Sequence, residues 1–201
     1  KIRKIEHHPA LPYDELQPFM GRLSTTNGIG ARALEMAILT ASRTFEVLGA
    51  TWKEFDLEKR VWTVPQERMK AGIEHRIPLS EPAMKILKVL HDGRISDSVF
   101  PNLTNGKPLS NAGMSSVLKR MGRTDITVHG FRSTFRDWVA EKTNTPERIA
   151  ESALAHRLKD ASEAAYQRGD LIEKRQALMT NWANYCYPTW GKSDSNASSI
   201  Q

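Results

Sequence analysis

In the segment VHGFR, His129 and Arg132 stand three residues apart, so on a helix they share one face. The segment falls at a predicted helix start, where free backbone N–H groups and the positive end of the helix dipole favour an anion. The guanidinium adds a planar fork matched to phosphate oxygens. Taken alone, the pair reads equally well as a helix-terminal histidine beside a surface arginine. Four further segments lie along the chain. LTASRTFE places Arg43 where two predicted helices meet, with Glu46 three residues on and able to orient it. MKAG places Lys70 in or beside a predicted sheet turn. LAH ends a helix at His156, 24 residues after Arg132, and AYQR carries Tyr166 ten residues later. Each has a plain alternative. Arg43 reads also as a surface arginine, His156 as a cap on its helix C-terminus and Tyr166 as a half-buried packing residue. Lys70 shares its hairpin with Arg68 and Arg76, and any of the three could simply be solvated.

Other chemistries lack their residues. The chain has no P-loop, no GxGxxG, no HExxH, no GxSxG elbow and no Cys/His cluster at metal-ligand spacing. His7 and His8 are adjacent and cannot point the same way on a regular element. Cys186 is the single cysteine, which excludes an internal disulfide and fits a reducing compartment. The longest apolar runs, such as Ala37-Ile38-Leu39, fall far short of the roughly 18 residues of a membrane span. Lys and Arg number 29 against 23 Asp and Glu, a net charge of +6, and a basic surface favours polyanions, nucleic acid ahead of membrane.

These residues must be held by a fold, and 201 residues with 39% hydrophobic content suffice for one large domain with a buried core. Lys1 stands where an initiator Met would, so the chain reads as a fragment with a segment upstream. Residues 1–12 read as an incoming linker. Helices are expected over Asp14–Leu23 and Ala31–Leu39, and from Thr44 with Phe45 and Leu48 inward. Val61–Val64 and His75–Leu79 read as strands of a small antiparallel sheet of two or three strands, with Gly72 between them. Ser80-Glu81-Pro82 caps a helix reaching Leu90, and Ser110 opens one reaching Gly122. The remainder reads as helices over 129–142, 146–154 (Thr145 as cap, Pro146 at the first position), 161–167 and 171–185. Residues 188–201, rich in Ser and Asn, read as a disordered tail. Trp52, Trp62, Phe135 and Trp138 read as core, Cys186 as a packing residue, and Arg168-Gly169-Asp170 as a helix break. The fold class is mainly α with a small antiparallel β-sheet, in one domain over 13–187.

The order Arg43, Lys70, His129-x-x-Arg132, His156, Tyr166 resembles the signature of the tyrosine recombinases, or phage integrases. The wording HHPALP, MKAGIEHRIPLS, HGFRSTFRDW, LAH and AAYQRGDLIEKRQALMTNWANY looks like the branch carried by satellite phages, prophages and genomic islands. The likeness spans about residues 7–187; Phe45 stands where the family usually has glycine. The resemblance implies that Tyr166 attacks the scissile phosphate to form a 3′-phosphotyrosyl link, and that Arg43 and Arg132 clamp its non-bridging oxygens. Lys70 would protonate the leaving 5′-oxygen, His129 assist proton transfer from Tyr166, and His156 hydrogen-bond the phosphate. It implies no metal, cofactor or ATP, because the covalent link stores the bond energy. Its partners would be double-stranded DNA attachment sites, four protomers assembled on two sites, and accessory DNA-bending proteins, in the bacterial cytoplasm. Two other readings stay open: a type IB topoisomerase with nearly the same residues, and a non-catalytic DNA-binding remnant. The amphipathic segment 171–187 could dock on a neighbouring protomer or on its own chain.

Overall fold

The structure is a computed structural model that describes residues 9–156 and 171–188. After Pro12 a 3-10 turn, Tyr13–Glu15, leads into α1 (Leu16–Ser24), so the helix expected from Asp14 begins with one tighter turn. Gly28, at φ 106°, lets the chain reverse into α2 (Ile29–Thr40). Alanine, leucine and methionine favour helix here, and α2 is buried on almost every face: Ala31 and all of Ala33–Thr40 are inaccessible. It is the axis against which α1, α3, α4, α5, α6 and α8 pack as they are introduced below. It ends at Ala41, which adopts the left-handed conformation (φ 50°) while Ser42 N–H bonds back to the Ala37 carbonyl, a turn that usually takes glycine.

The short α3 (Thr44–Leu48) follows at once, and here one expectation fails. Leu48 is buried, but Phe45 is 44% exposed. Glu46 takes an inward direction because its carboxylate closes on Arg43, and Val47 and Leu48 fill the core, which turns Phe45 outward.

The sheet has three antiparallel strands in the order β1 (Phe55–Asp56), β2 (Val61–Val64) and β3 (His75–Pro78). Trp62 faces the core from β2 and Val64 pairs with His75. α4 (Glu81–Asp92) starts where Ser80 was expected to cap it, yet the Ser80 hydroxyl is buried and makes no hydrogen bond; Pro82 in the first turn sets the start instead. α5 (Ala112–Arg120) begins two residues after Ser110. α6 (Gly130–Lys142) matches its expected span. α7 (Glu147–Ala153) begins one residue late, because Pro146 holds a non-helical ψ of 137° and stands at the N-cap. α8 (Ile172–Cys186) buries Leu178, Met179, Trp182, Ala183 and Cys186 against its own chain. The helix expected over 161–167, the RGD segment, His7, His8 and the tail from 189 onward lie outside the described residues.

The aromatic core is centred on Trp182, whose ring meets Phe135 edge-on at 5.2 Å and Trp138 at 4.9 Å. Its Nε1 donates to the Ile38 carbonyl at 2.8 Å, fastening α8 to the axial helix. Trp62 and Phe135 are fully buried and Trp138 nearly so, as expected of core residues, whereas Trp52 is half-buried. Among the described residues no helix is long and apolar enough to cross a membrane.

Candidate active site

Arg43 is the N-cap of α3, immediately after the Ala41 turn. Glu46 Oε2 accepts from the Arg43 backbone N–H at 2.8 Å and Oε1 accepts from Nη1 at 2.8 Å, so one carboxylate caps the helix and aims the guanidinium. The remaining fork reaches across the fold: Nη2 donates to the Ala155 carbonyl at 3.4 Å.

Arg132 comes from the first turn of α6 and is only 6% exposed. The start of that helix is fixed by close approach. Gly130 lies against the backbone of Pro9 and Ala10, where a Cβ would come within 2.2 Å of the Pro9 oxygen, so this position admits only glycine without a shift of the chain. Arg132 Nη1 donates to the Ala41 carbonyl at 2.5 Å and Nη2 to the Leu154 carbonyl at 2.7 Å. Nη2 also lies 3.0 Å from His156 Nε2. Burial, then repulsion from Arg43, lowers the Arg132 pKa to about 10, with Glu46 and Glu151 opposing the shift; it stays protonated at neutral pH. Two guanidiniums from different helices thus converge on the consecutive residues 154–156, and His156 faces the second of them. Ala155, at φ 49°, makes the turn that brings these groups together.

His129 is exposed at the N-cap of α6, one turn before Arg132. Lys70 is exposed on the β2–β3 connection, as the hairpin pattern predicts. The competing Arg68 is engaged. Its Nη1 donates to both oxygens of buried Glu54, at 2.6 and 2.7 Å, and its Nη2 to the Phe45 and Glu46 carbonyls. It therefore fastens the lysine loop to the helix that begins at Arg43. Tyr166 lies outside the described residues.

Sequence reasoning missed three groups here. Glu151 sits between His156 and Arg136. Arg175 is a buried guanidinium on α8 that donates to the Arg76 carbonyl. His75, on β3, hydrogen-bonds the Ala153 backbone, and burial, then the charge of Arg175, pushes its pKa down from 6.5 to about 4. Local spacing flags none of them, apart from the pairs Arg132/Arg136 and Glu147/Glu151, which put opposite charges on two successive helices at i, i+4. His75 carries a pH prediction. An unfolded chain protonates it first, so its contribution is complete above pH 6.5 and drains away toward pH 4. The expected loss is roughly 3 kcal/mol, read as a falling urea midpoint; His75→Gln should flatten that part of the profile, and an unchanged slope would refute the assignment.

Chemically, two convergent arginines, one buried, with a histidine at their edge can hold a tetrahedral oxyanion and stabilise added negative charge on it.

Residues 10–169 match the model of the phage integrase family. The prophage integrase IntA of Escherichia coli K12 is 33% identical over 183 residues, covering 88% of this chain and 44% of that relative. The integrase of Enterobacteria phage P4 is 30% identical over 202 residues, covering 90% of this chain and 46% of the phage protein. The chain spans slightly under half the length of these two relatives. Among solved structures, the integrase from mycobacterium phage Brujita aligns with a TM-score of 0.65 at 16% identity, over 90% of this chain and 60% of its own. The lambda integrase catalytic core aligns with a TM-score of 0.56 at 19% identity, over 77% of this chain and 95% of its own; at such identities the likeness is one of fold. The family match runs unbroken from the segment packed on Gly130, through both converging arginines and past His156, and by it the chain belongs to the phage integrase family.

Proposed function

We propose that residues 13–187 form the catalytic domain of a site-specific DNA recombinase, which cuts and rejoins strands at attachment sites to insert or excise a mobile element. The observation that carries the reading is the convergence of Arg43 and Arg132 on the turn at 154–156. Buried positive charge of this kind seeks a doubly liganded phosphate. The Tyr166 oxygen attacks phosphorus, the P–O5′ bond breaks, and a 3′-phosphotyrosyl link and a 5′-hydroxyl result. The phenolic proton passes toward His129, and Lys70 supplies the proton of the leaving oxygen. The two arginines neutralise the charge that builds on the non-bridging oxygens, while His156 faces the same phosphate. Reversal by another 5′-hydroxyl rejoins the strand, so neither ATP nor a metal ion enters the balance.

The named relatives are prophage and phage integrases, which supports recombination over simple relaxation of supercoils. Lambda integrase has been solved as a tetramer bound to a Holliday junction, which supports a four-protomer assembly on double-stranded DNA for this protein too. Accessory DNA-bending proteins and action in the bacterial cytoplasm complete the reading.

The test is a nicked duplex carrying the attachment core, incubated with the full-length protein in the absence of metal. A covalent protein–DNA band is expected on a denaturing gel, with Tyr166→Phe abolishing it. A band that persists in Tyr166→Phe would move the nucleophile elsewhere, and no band at all would leave a DNA-binding module without catalysis.

A further inference from the structure

The geometry points to Glu151 as a positioning residue that fixes which nitrogen of His156 carries the proton; the inference rests on the proposed role of His156 at the phosphate. Glu151 Oε2 lies 2.7 Å from His156 Nδ1, while Oε1 accepts from Arg136 Nε at 2.7 Å. Arg136 is itself held by Glu147 at 2.9 Å, so the guanidinium that grips Glu151 from α6 is anchored by two carboxylates of α7. Burial pushes the Glu151 carboxyl up, but the hydrogen bonds from His156 and Arg136 outweigh it and hold it below the ordinary value. At neutral pH it is an anion with only lone pairs to offer, so His156 Nδ1 must bear the hydrogen. At the other edge of the ring, Nε2 faces Arg132 Nη2 at 3.0 Å. A guanidinium only donates, so Nε2 presents its lone pair. Two neighbours of fixed polarity thereby select one tautomer of the imidazole, the one with its hydrogen on Nδ1.

That selection has a mechanistic consequence. In the DNA-free protein His156 accepts from Arg132 and helps the Ala41 and Leu154 carbonyls hold the guanidinium still. A phosphate oxygen arriving at this edge competes for Arg132, and the hydrogen bond that Nδ1 donates to Glu151 then keeps the ring in place. Among the described residues, the charges that face the ring are Glu151 from α7, Arg132 from α6, and Arg43 from α3 through the adjacent Ala155 carbonyl. Only Glu151 among these is negative, so besides orienting the ring it offsets the positive charge that Arg132 and Arg43 concentrate at this edge. Loss of the carboxylate removes both functions, and an amide in its place can donate to Nδ1 and invert the ring's polarity.

The experiment pairs a spectroscopic and a kinetic measurement on wild type, Glu151→Gln and Glu151→Asp. Nitrogen-15 correlation of the ring, assigned by loss of the signal in His156→Gln, should show Nδ1 protonated in the wild type and a shift toward the Nε2-protonated form in Glu151→Gln. Covalent trapping on the nicked duplex at saturating DNA should slow about tenfold in Glu151→Gln, with DNA affinity unchanged, and recover in part in Glu151→Asp. An unaltered ring tautomer in Glu151→Gln, or trapping within twofold of wild type, overturns the proposal. Failure of the underlying reading looks different: wild type would trap no DNA, or His156→Gln would trap at the wild-type rate.

Discussion

Replacing Arg132 with methionine is expected to slow covalent strand cleavage by roughly a thousandfold, the scale seen when a preorganised oxyanion donor is lost. The size follows from burial. At 6% exposure the guanidinium is shielded from solvent and sits beside a second arginine, and charge stabilisation in such surroundings is worth far more than in water. Arg132→Lys is expected to recover little, because an ammonium cannot donate at once to Ala41, Leu154 and the His156 ring along the directions of a planar fork. The methionine variant should also unfold more easily, by about 2–4 kcal/mol, since two carbonyls lose their donor in a region closed to water. Single-turnover trapping and urea unfolding separate the two effects. A lysine variant that cleaves at the wild-type rate would show that charge alone, not the fork, serves the reaction.

The second large effect is on folding. Trp182→Ala is expected to cost about 3–5 kcal/mol of stability, the range for emptying a large aromatic from a core. Trp182 is fully buried, contacts Phe135 and Trp138, and donates its indole N–H to the Ile38 carbonyl. The alanine variant therefore leaves a cavity and takes from the Ile38 carbonyl one of its two donors, the other being the Ala41 N–H. Because α8 carries Arg175 to the β3 backbone, loosening it should reach the sheet beneath the site. Chemical denaturation with tryptophan fluorescence measures the loss; a change under 1 kcal/mol would mean that α8 is not fastened to the core by this residue.

The helices and strands were legible because their signals are local. Alternation in Val61–Val64, apolar spacing in Ala83, Ile86, Leu87 and Leu90, and glycine at residue 28 act over a few residues, and the elements stand within one or two residues of expectation. Phe45 was misjudged because a hydrophobic residue on a five-residue helix competes for the inward side with Glu46, whose electrostatic role outranks burial of a ring. Ser80 was misjudged for a related reason: a side chain suited to capping is buried where it finds no partner. Within the site, the ordered residue types pointed to the family, and the structure brings Arg43, Arg132 and His156 together through carbonyls at positions 41, 154 and 155. Those acceptors are backbone groups, which carry no residue-type signal. Glu151, Arg175 and His75 escaped notice because each acts across helices or between helix and strand, at separations that periodicity does not register.

Arg68 leaves one more mark on the chemistry. By gripping Glu54 and the Phe45 and Glu46 carbonyls of α3, it nails down the loop two residues before Lys70, and two extended residues reach no more than about 7 Å. The lysine is thus a weight on a short leash whose peg stands on the same helix as Arg43. On the proposed role of Lys70 as proton donor, so short a tether keeps its ammonium at a high local concentration near the leaving oxygen. Pulling the peg, with Arg68→Gln, would lengthen the leash and dilute the proton donor without touching a single atom of it.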